Sequence, residues 1–598
     1  MPDSSKRRRR NRAFASARHR DGKRVPLGRR SEGCLCRHPQ RAGLHAGIGA
    51  CRASVDQPVP RRGRSRTKLG RNRPHPHAEA QEWRERGNGS ATVKTEAAKT
   101  LDEVAFATAV DVVVAGLGGA GASAAIAAAE AGADVLVIER TSGGGGSTAM
   151  SGGFIYLGGG TPPQKANGFA DTPENMARFL RATQPRAAID KIEAYCEGSV
   201  GHYDWLMSLG VTFNERYFDG KHFHPHSDET LVWTGSEACW PLSEAAEPMP
   251  RGHKPGGGFV GHLLFDRLLQ RLNELKVRVI YDAAVNALVR DDAGAVVGIQ
   301  YRQEGRNLAV AARKGVVLAT GGSEWNRELG LAHGSKGVRD GISPLGVPTA
   351  DGSGIALGQS MGAATMALDQ SMVTSPFYPP ASLVKGILVN SLGRRFVAED
   401  VYHAWSTDAI LNQPDGKAYL ICDNVNFGRP ELGDIRSERK HEVVDAWDNI
   451  PEMEADLGMP EGALVETIGN YNRYATTGYD EEFRKNPKWL APISEIPFAA
   501  IDCSVGSAYF CCISLGGIDT DVDGRALKAD GTPVPGLYAV GQVAPNLSVE
   551  GWGYASGLLI GGATFFGRRA GKAAAAEPVR LALDPGSERP EFPADAAR

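Results

Sequence analysis

The chain has 598 residues, of which 42% are hydrophobic, and its formal net charge is −1. This length exceeds what one hydrophobic core usually organises, so we expect two or more globular units. The near-zero charge argues against a nucleic-acid-binding function, and no apolar run approaches the roughly 20 residues of a membrane-spanning helix. The nine cysteines form no CxxC or CxxCH pattern, which argues against an iron–sulfur cluster, a zinc ribbon or a c-type haem and is typical of a reducing, cytoplasmic compartment.

Residues 1–104 are predicted to form a disordered, arginine-rich leader. Basic runs at residues 6–10 and 61–66 occur without any apolar period that could build a core. The leader has no apolar segment after its basic start, so it does not match a secretory or twin-arginine signal. A nucleic-acid-binding arm is an alternative, but we favour an upstream stretch translated from too early a start, and exclude it from the fold.

A strand, a tight turn and a helix are predicted to follow from Asp111. Residues 112–115 are β-branched or small, as in a strand buried within a parallel sheet, and residues 122–130 favour a helix that ends at Gly132. A GxGxxG motif lies between them, where glycines and a helix N-terminus could bind a pyrophosphate. Its candidate contacts are Gly116, Gly118, Gly119, Ala120 and Gly121.

A second strand is predicted at residues 134–138, with Glu139 at its end. An acid about 20 residues after the first glycine of such a motif can accept both hydroxyls of a ribose. The unit therefore predicts an α/β dinucleotide-binding domain, although these residues alone leave FAD and NAD open.

The next segment, residues 140–153, resembles the second flavin loop of the fumarate reductase and succinate dehydrogenase flavoprotein superfamily. The resemblance implies FAD and the following contacts: Arg140, Gly146, Ser147, Thr148, Ser151, Gly152 and Gly153. Members that bind the flavin covalently carry a histidine where this chain has Ser147. The resemblance therefore implies non-covalent FAD.

Two further pairs of segments resemble the remaining FAD contacts of that superfamily: 279–285 with 316–322, and 536–541 with 553–562. The implied contacts are Val285, Thr320, Gly321, Gly541, Ser556, Leu558 and Leu559. In the last segment a helix N-terminus could stabilise negative charge on the flavin pyrimidine.

Because these contacts come from both ends of the chain, the expected fold class is α/β, with a Rossmann-like FAD-binding domain that is discontinuous in sequence. We expect this domain at residues 105–325 and 498–577. An inserted α+β domain at 326–497 would cover the substrate, and a tail would occupy 578–598.

Segments 151–161, 234–254, 386–402 and 554–571 narrow the resemblance to the 3-ketosteroid dehydrogenase branch, above all to its 4-ene-forming, 5α-steroid members. This implies an enzyme that removes the proton α to a ketone and transfers a hydride from the adjacent carbon to flavin N5. The implied partners are an apolar ketone of the steroid type and a separate electron acceptor, either a quinone or another flavoprotein.

The resemblance also assigns catalytic residues. Tyr402 and Tyr509 match the two catalytic tyrosines of the branch. We assign proton abstraction to Tyr402 and hydrogen-bond donation to the ketone oxygen to Tyr509. Cys511 stands where the family has a serine, and its thiol could relay a proton although it bonds weakly. The backbone N–H of Gly553, or of Gly551 nearby, is the candidate second donor to the ketone.

Several alternatives stay open: a 3-ketosteroid 1,2-dehydrogenase, a fumarate or urocanate reductase type, and a flavin-binding protein without catalysis. Reductases of acidic substrates clamp a carboxylate with arginine, and the loop 546–556 contains none, so an apolar ketone is favoured. No metal site is predicted, because His222, His224 and His226 alternate in an irregular loop without a carboxylate partner. Cys511 and Cys512 are expected to be buried thiols.

Overall fold

The structure, a computed structural model, describes residues 94–256, 259–428 and 441–581. Residues 1–93 of the predicted leader and 582–598 of the predicted tail lie outside these ranges. No helix in the described ranges combines the length and the apolar character that crossing a membrane requires.

The described ranges contain both strands and helices. The strands are β1 Lys99–Thr100, β2 Phe106–Ala115, β3 Val135–Ile138, β4 Ile155–Tyr156, β5 Tyr217–Phe218, β6 Leu231–Val232, β7 Gly252–His253, β8 Arg278–Ile280, β9 Ala284–Arg290, β10 Val296–Gln303, β11 Arg306–Leu318, β12 Ser343–Pro344, β13 Thr365–Met366, β14 Ser371–Thr374, β15 Ile387–Asn390, β16 Ala418–Cys422, β17 Val443–Trp447, β18 Phe498–Asp502, β19 Cys511–Ser514, β20 Gly517–Ile518, β21 Arg525–Leu527 and β22 Pro533–Ala539. The α-helices are α1 Gly119–Glu130, α2 Gly146–Met150, α3 Pro162–Ala166, α4 Pro173–Thr183, α5 Ile189–Ser208, α6 Leu242–Ala245, α7 Gly261–Glu274, α8 Arg327–Ala332, α9 Lys336–Arg339, α10 Ser353–Ser360, α11 His403–Leu411, α12 Ile450–Asp456, α13 Ala463–Thr477 and α14 Leu558–Ala576.

A parallel sheet forms the centre of the dinucleotide-binding part. Strands β8, β3, β2 and β11 lie side by side in parallel, and β22 pairs in parallel with β11. Strand β11 contacts β2 and β22 at the same residues, since Val316 lies opposite both Val113 and Leu537. Buried β-branched residues fill these strands, as expected for a sheet covered on both faces. Strands far apart in sequence thus complete one Rossmann-like sheet, and the predicted discontinuous α/β class is confirmed.

The C-terminal helix α14 packs directly on α1. A Cβ added at Gly571 would lie 2.1 Å from the carbonyl oxygen of Ala124, and one at Gly567 would lie 2.6 Å from that of Ala120. Glycines at these positions let the two helix backbones approach closely. The segment that precedes α14 is thereby brought to the glycine turn that precedes α1.

A second region has its own sheet. Strands β15, β16, β18 and β17 form an antiparallel sheet, in that order. Helices α12 and α13 contribute Met453, Leu464 and Tyr471 to its core. We call this region, from the start of β15 through β18, the cap. Strand β19 also pairs outside the dinucleotide sheet, with β12 and β14.

The structure corrects three predicted boundaries. The leader was predicted to be disordered through residue 104, but β1 pairs in parallel with β9, so order begins earlier. The cap was predicted to end at residue 497, yet β18 belongs to its sheet because Leu420 of β16 lies opposite Ile501. The segment 279–285, which resembles one of the FAD contacts, is divided between the end of β8 and the start of β9, since Asp282 adopts a positive φ of 53° between them.

Candidate active site

The glycine turn after β2 has the shape that close approach of a ligand requires. Gly116 has a φ of 103°, and a Cβ there would lie 2.4 Å from the carbonyl oxygen of Ala319. A Cβ on Gly121 would lie 2.0 Å from the carbonyl oxygen of Gly116. The N-cap of α1 is Gly118, whose position offers no side chain to cap the helix. The turn therefore presents a helix N-terminus that has no capping side chain of its own, which fits a pyrophosphate.

Glu139 lies beside this turn at the end of β3. Its carboxylate accepts the N–H of Leu117 at 2.7 Å, and on the other oxygen the N–H of Thr141 at 2.9 Å. Both oxygens are thus fixed, while an ionised carboxylate still has lone pairs for further donors. The segment with Val285 borders the same residue, since the N–H of Ala283 donates to the carbonyl oxygen of Glu139 at 2.9 Å. The arrangement fits recognition of ribose hydroxyls.

Arg140 pairs with an acid that the sequence analysis missed. Its guanidinium donates to Asp351 at 2.7 Å, and the side chain of Asp351 is 1% exposed. The other Asp351 oxygen accepts the N–H of Ser353 at the start of α10, at 3.0 Å. The sequence Asp351-Gly352-Ser353 is typical of a helix start, but it does not identify Asp351 as the partner of Arg140.

The second flavin loop lies against the glycine turn. The hydroxyl of Thr148 accepts the N–H of Gly119 at 3.2 Å, and the hydroxyl of Ser147 accepts the N–H of Val347 at 3.2 Å. A Cβ on Gly152 would lie 3.0 Å from Nε2 of His224, whose imidazole is 2% exposed. Helix α2 therefore carries Ser147 and Thr148 into the same region as α1.

Segments from the far end of the chain complete the site. Gly541 has a φ of 76°, and a Cβ there would lie 2.7 Å from that of Ala120. Gly557, the N-cap of α14, has a φ of 99° and packs on the backbone of Tyr156. The hydroxyl of Thr320 is buried and has no hydrogen-bond partner within the described residues. The structure thus gathers the predicted FAD contacts around α1 and α14.

Tyr402 contacts this gathered set directly. Its hydroxyl hydrogen-bonds to the hydroxyl of Ser556, and its ring is 4% exposed. The backbone N–H of Tyr402 donates to Ser236 Oγ at 2.8 Å, and the N–H of Ser556 donates to the carbonyl oxygen of Thr234 at 2.8 Å. One loop, residues 234–237, therefore holds both hydroxyl groups in place.

Burial raises the pKa of Tyr402 well above its ordinary value, and the hydrogen bond from Ser556 partly opposes this. Nearby Tyr378, Tyr554 and Glu237 raise it further. Tyr554 lies two residues before Ser556 and is itself buried, which raises its own pKa. Tyr554 was not among the predicted site residues, although it lies within segment 554–571, which carries part of the family resemblance.

Tyr509 and Cys511 lie beside β14 and the residue that follows it. Cys511 pairs with Thr374 of β14, and the hydroxyl of Thr374 lies 2.6 Å from Nδ1 of His403. The carbonyl oxygen of half-buried Tyr509 accepts the hydroxyl of Ser375 at 2.8 Å. These contacts connect Tyr509 and Cys511 to Tyr402 through neighbouring residues, and Ser556 bonds to Tyr402. Cys511 and Cys512 are both buried thiols, as expected.

The candidate backbone donors Gly553 and Gly551 belong to a tightly packed loop. A Cβ on Gly553 would lie 2.0 Å from the carbonyl oxygen of Thr183, and one on Gly551 would lie 2.1 Å from that of Ser371. Only glycine lets the loop lie against both α4 and β14. Within the described ranges, no cluster of three or more His, Cys, Asp or Glu side chains could hold a metal ion.

Comparisons with known proteins agree with this geometry. The model of the FAD binding domain family matches residues 111–557. The 3-ketosteroid-Δ4-(5α)-dehydrogenase of Rhodococcus jostii RHA1, solved in complex with 4-androstene-3,17-dione, is 40% identical, with a TM-score of 0.76 over 81% of this chain and 100% of that chain. The 3-oxo-5-alpha-steroid 4-dehydrogenase of Comamonas testosteroni is 28% identical over 74% of this chain and 94% of that protein.

A reductase is also similar: the probable fumarate reductase Ifc3 of Shewanella frigidimarina (strain NCIMB 400) is 25% identical over 74% of this chain and 71% of its own length. The chain spans only 34% and 49% of two longer curated relatives, an NADH:acrylate and an NADH:fumarate oxidoreductase. The chain belongs to the FAD binding domain family, in the 3-ketosteroid dehydrogenase branch of the fumarate reductase and succinate dehydrogenase flavoprotein superfamily, and is a FAD-dependent oxidoreductase.

Proposed function

We propose that the chain dehydrogenates a 3-ketosteroid, with the bond between carbons 4 and 5 as the favoured position. The contact between Tyr402 and Ser556 carries this proposal, because it joins a buried acid–base group to the segment that opens α14. The steroid dehydrogenases among the similar proteins support the substrate class.

FAD, when bound, supplies the hydride acceptor of the reaction. We propose that Gly116, Gly121, Glu139 and the loop with Ser147 hold it without a covalent bond. The remaining chemistry belongs to the chain. A base must remove the proton next to the ketone, and a donor must stabilise the charge that develops on the ketone oxygen.

Tyr402 is the proposed base, and Ser556 is the group through which its hydroxyl proton leaves. The buried position favours proton transfer without competing water. Two tyrosines are candidates to donate a hydrogen bond to the ketone oxygen. The family resemblance assigns Tyr509, and the geometry favours Tyr554 because it is buried beside Tyr402. The backbone N–H of Gly553 is the proposed second donor, and Cys511 is kept as a proposed proton relay.

The charges near the loop 546–556 favour an apolar ketone over an acidic substrate. Arg186 reaches this loop, but it donates to Glu550 at 2.5 Å and lies 3.5 Å from Asp369. Its charge is therefore neutralised by the protein. The buried Arg251 is likewise paired, with Asp171 at 2.8 Å. Neither arginine offers the uncompensated charge that a carboxylate clamp uses.

The cap, together with the segment that leads into it from residue 326, is proposed to cover the substrate. Electrons would then pass to a separate acceptor, a quinone or another flavoprotein, in a cytoplasmic enzyme. This acceptor is proposed because the sequence offers no haem or cluster motif.

A substrate panel tests the proposal. Under anaerobic conditions, the yellow protein should be bleached by a 5α-3-ketosteroid, and with an artificial dye acceptor it should turn over this substrate. A 4-ene-3-ketosteroid should leave it oxidised. Turnover of the 4-ene compound instead would assign 1,2-dehydrogenation, and indifference to every ketosteroid with reduction of fumarate or urocanate would overturn the proposal.

A further inference from the structure

Glu324 is a buried carboxyl group that lies among the segments carrying the candidate FAD contacts. It follows Thr320 and Gly321 after β11 and is 2% exposed. Its Oε2 accepts the hydroxyl of Ser514 at 2.9 Å and the side-chain N–H of Gln542, next to Gly541, at 2.9 Å. One oxygen of the carboxyl group is therefore fully engaged.

The other oxygen, Oε1, is buried and has no hydrogen-bond partner in the described part of the chain. It points toward the flavin loop: a Cβ on Gly346 would lie 2.8 Å from this oxygen and 2.9 Å from the hydroxyl of Ser147. Gly346 has a φ of 119°, a conformation that favours glycine. Because glycine has no side chain, Oε1 stays uncovered on this side. An unpaired buried oxygen is costly unless it binds a proton or a ligand group.

The surroundings of Glu324 are neutral. Ser514 and Gln542 bond to Oε2, the Ser147 hydroxyl and Oε1 both border the position of Gly346, and the titratable neighbour on β19 is the Cys512 thiol, whose pKa is raised by burial. Burial raises the pKa of Glu324 to about 7, and the bonds from Ser514 and Gln542 oppose this rise. The carboxyl group can therefore change its protonation near neutral pH.

We propose that Glu324 takes up one proton when the bound FAD is reduced, and that this proton sets part of the pH dependence of the cofactor's redox potential. The proton comes from solvent and forms one O–H bond at Oε1. The reductant would supply two electrons to the bound cofactor together with one proton, carried as hydride or taken from solvent, which leaves one added negative charge. The further proton at Oε1 would offset that charge, so atoms and charge balance. This inference goes beyond steroid dehydrogenation, since any reductant of the cofactor should elicit it.

The direction follows from electrostatics. Negative charge gained by a nearby group in a low-dielectric site raises the pKa of a carboxyl group. By reciprocity, protonated Glu324 stabilises the reduced cofactor and raises its potential. Between the two pKa values of Glu324, in the oxidised and reduced protein, the potential should therefore fall more steeply with rising pH than outside that interval.

Redox titrations of the holoenzyme with dithionite and a reference dye measure the redox potential of the bound cofactor. They should run from about pH 5 to about pH 9, a range that includes the pKa of a buried carboxyl group. In the wild-type protein the redox potential should fall more steeply with pH over one interval, and Glu324→Gln should lack this interval. Ser514→Ala should move the interval to higher pH, because it removes a bond that favours the carboxylate. Glu454→Gln is the matched control, since the Glu454 carboxylate accepts the N–H of Leu464 in the cap.

Infrared difference spectra of the same reduction give a second readout. Wild type should gain the C=O stretching band of a protonated carboxyl group, and Glu324→Gln should not. Unchanged pH dependence in Glu324→Gln overturns the proposal. If that variant does not fold, absence of the carboxyl band in wild type overturns it. Because no steroid is used, these outcomes are independent of the proposed function.

Discussion

The hydroxyl of Tyr402, at the N-cap of α11, hydrogen-bonds to the hydroxyl of Ser556, two residues before α14 begins. The cap and the segment that leads into α14 therefore meet at two groups that can exchange a proton. Under the proposed mechanism both groups act in one step, so losing either member should impair that step.

Replacing Tyr402 by phenylalanine should slow reduction of the flavin by a 5α-3-ketosteroid by roughly 10²–10⁴-fold, the usual contribution of a general base. Ser556→Ala should slow it by a smaller factor, because the tyrosine remains. Stopped-flow absorbance measures both rates. Tyr419→Phe, in β16 of the cap, is the control and should retain the wild-type rate. A Tyr402→Phe variant that also keeps this rate would remove Tyr402 from the mechanism.

The rate of flavin reduction should also depend on pH. Tyr402 must lose its proton to act as a base, and burial raises its pKa well above the ordinary value. At neutral pH only a small fraction is ionised, and this fraction grows about tenfold per pH unit below the pKa. The logarithm of the rate should therefore rise with pH without reaching a plateau near neutrality. A rate independent of pH would contradict this role for Tyr402.

A comparison of Tyr554→Phe with Tyr509→Phe should identify the donor to the ketone oxygen. We expect the larger loss in Tyr554→Phe, because Tyr554 is buried and affects the ionisation of Tyr402, whereas Tyr509 is half-buried. The same stopped-flow assay gives both rates, with steroid affinity measured separately. A larger loss in Tyr509→Phe would restore the assignment that the family resemblance made.

The sequence predicted the dinucleotide domain well because its signals are local. A buried strand, a glycine turn and a helix of small residues follow one another within residues 111–130, and the structure has β2 and α1 there. The partners of these residues were harder to predict. Asp351 pairs with Arg140 from more than two hundred positions away, and Glu550 neutralises Arg186, so neither contact leaves a local pattern. Likewise, β18 joins the cap through pairing that only tertiary structure reveals.

Denaturation of the yellow protein should release its FAD. Ser147 occupies the position at which covalent relatives carry histidine, and its hydroxyl accepts the N–H of Val347. After acid precipitation, the flavin absorbance should therefore appear in the supernatant, and the protein band on a denaturing gel should not fluoresce. Fluorescence that stays with the band would contradict non-covalent binding.

Adding a single methyl group at Gly121 should prevent FAD binding. A Cβ there would lie 2.0 Å from the carbonyl oxygen of Gly116, a backbone atom that cannot rotate away. Gly121→Ala should therefore displace the turn and lose bound FAD, and strain of this kind costs about 1–3 kcal/mol of stability. Flavin absorbance per protein and the melting temperature measure both effects.

The control is Gly469→Ala in α13, where a Cβ would meet no atom within 4 Å. Because alanine favours helices over glycine by roughly 1 kcal/mol, this variant should bind FAD fully and melt no lower than wild type. Full FAD occupancy in Gly121→Ala would show that the cofactor does not depend on the turn between β2 and α1. In that case Glu139 and the loop with Ser147 would have to hold the FAD, and variants of these residues should lose more bound FAD than Gly121→Ala.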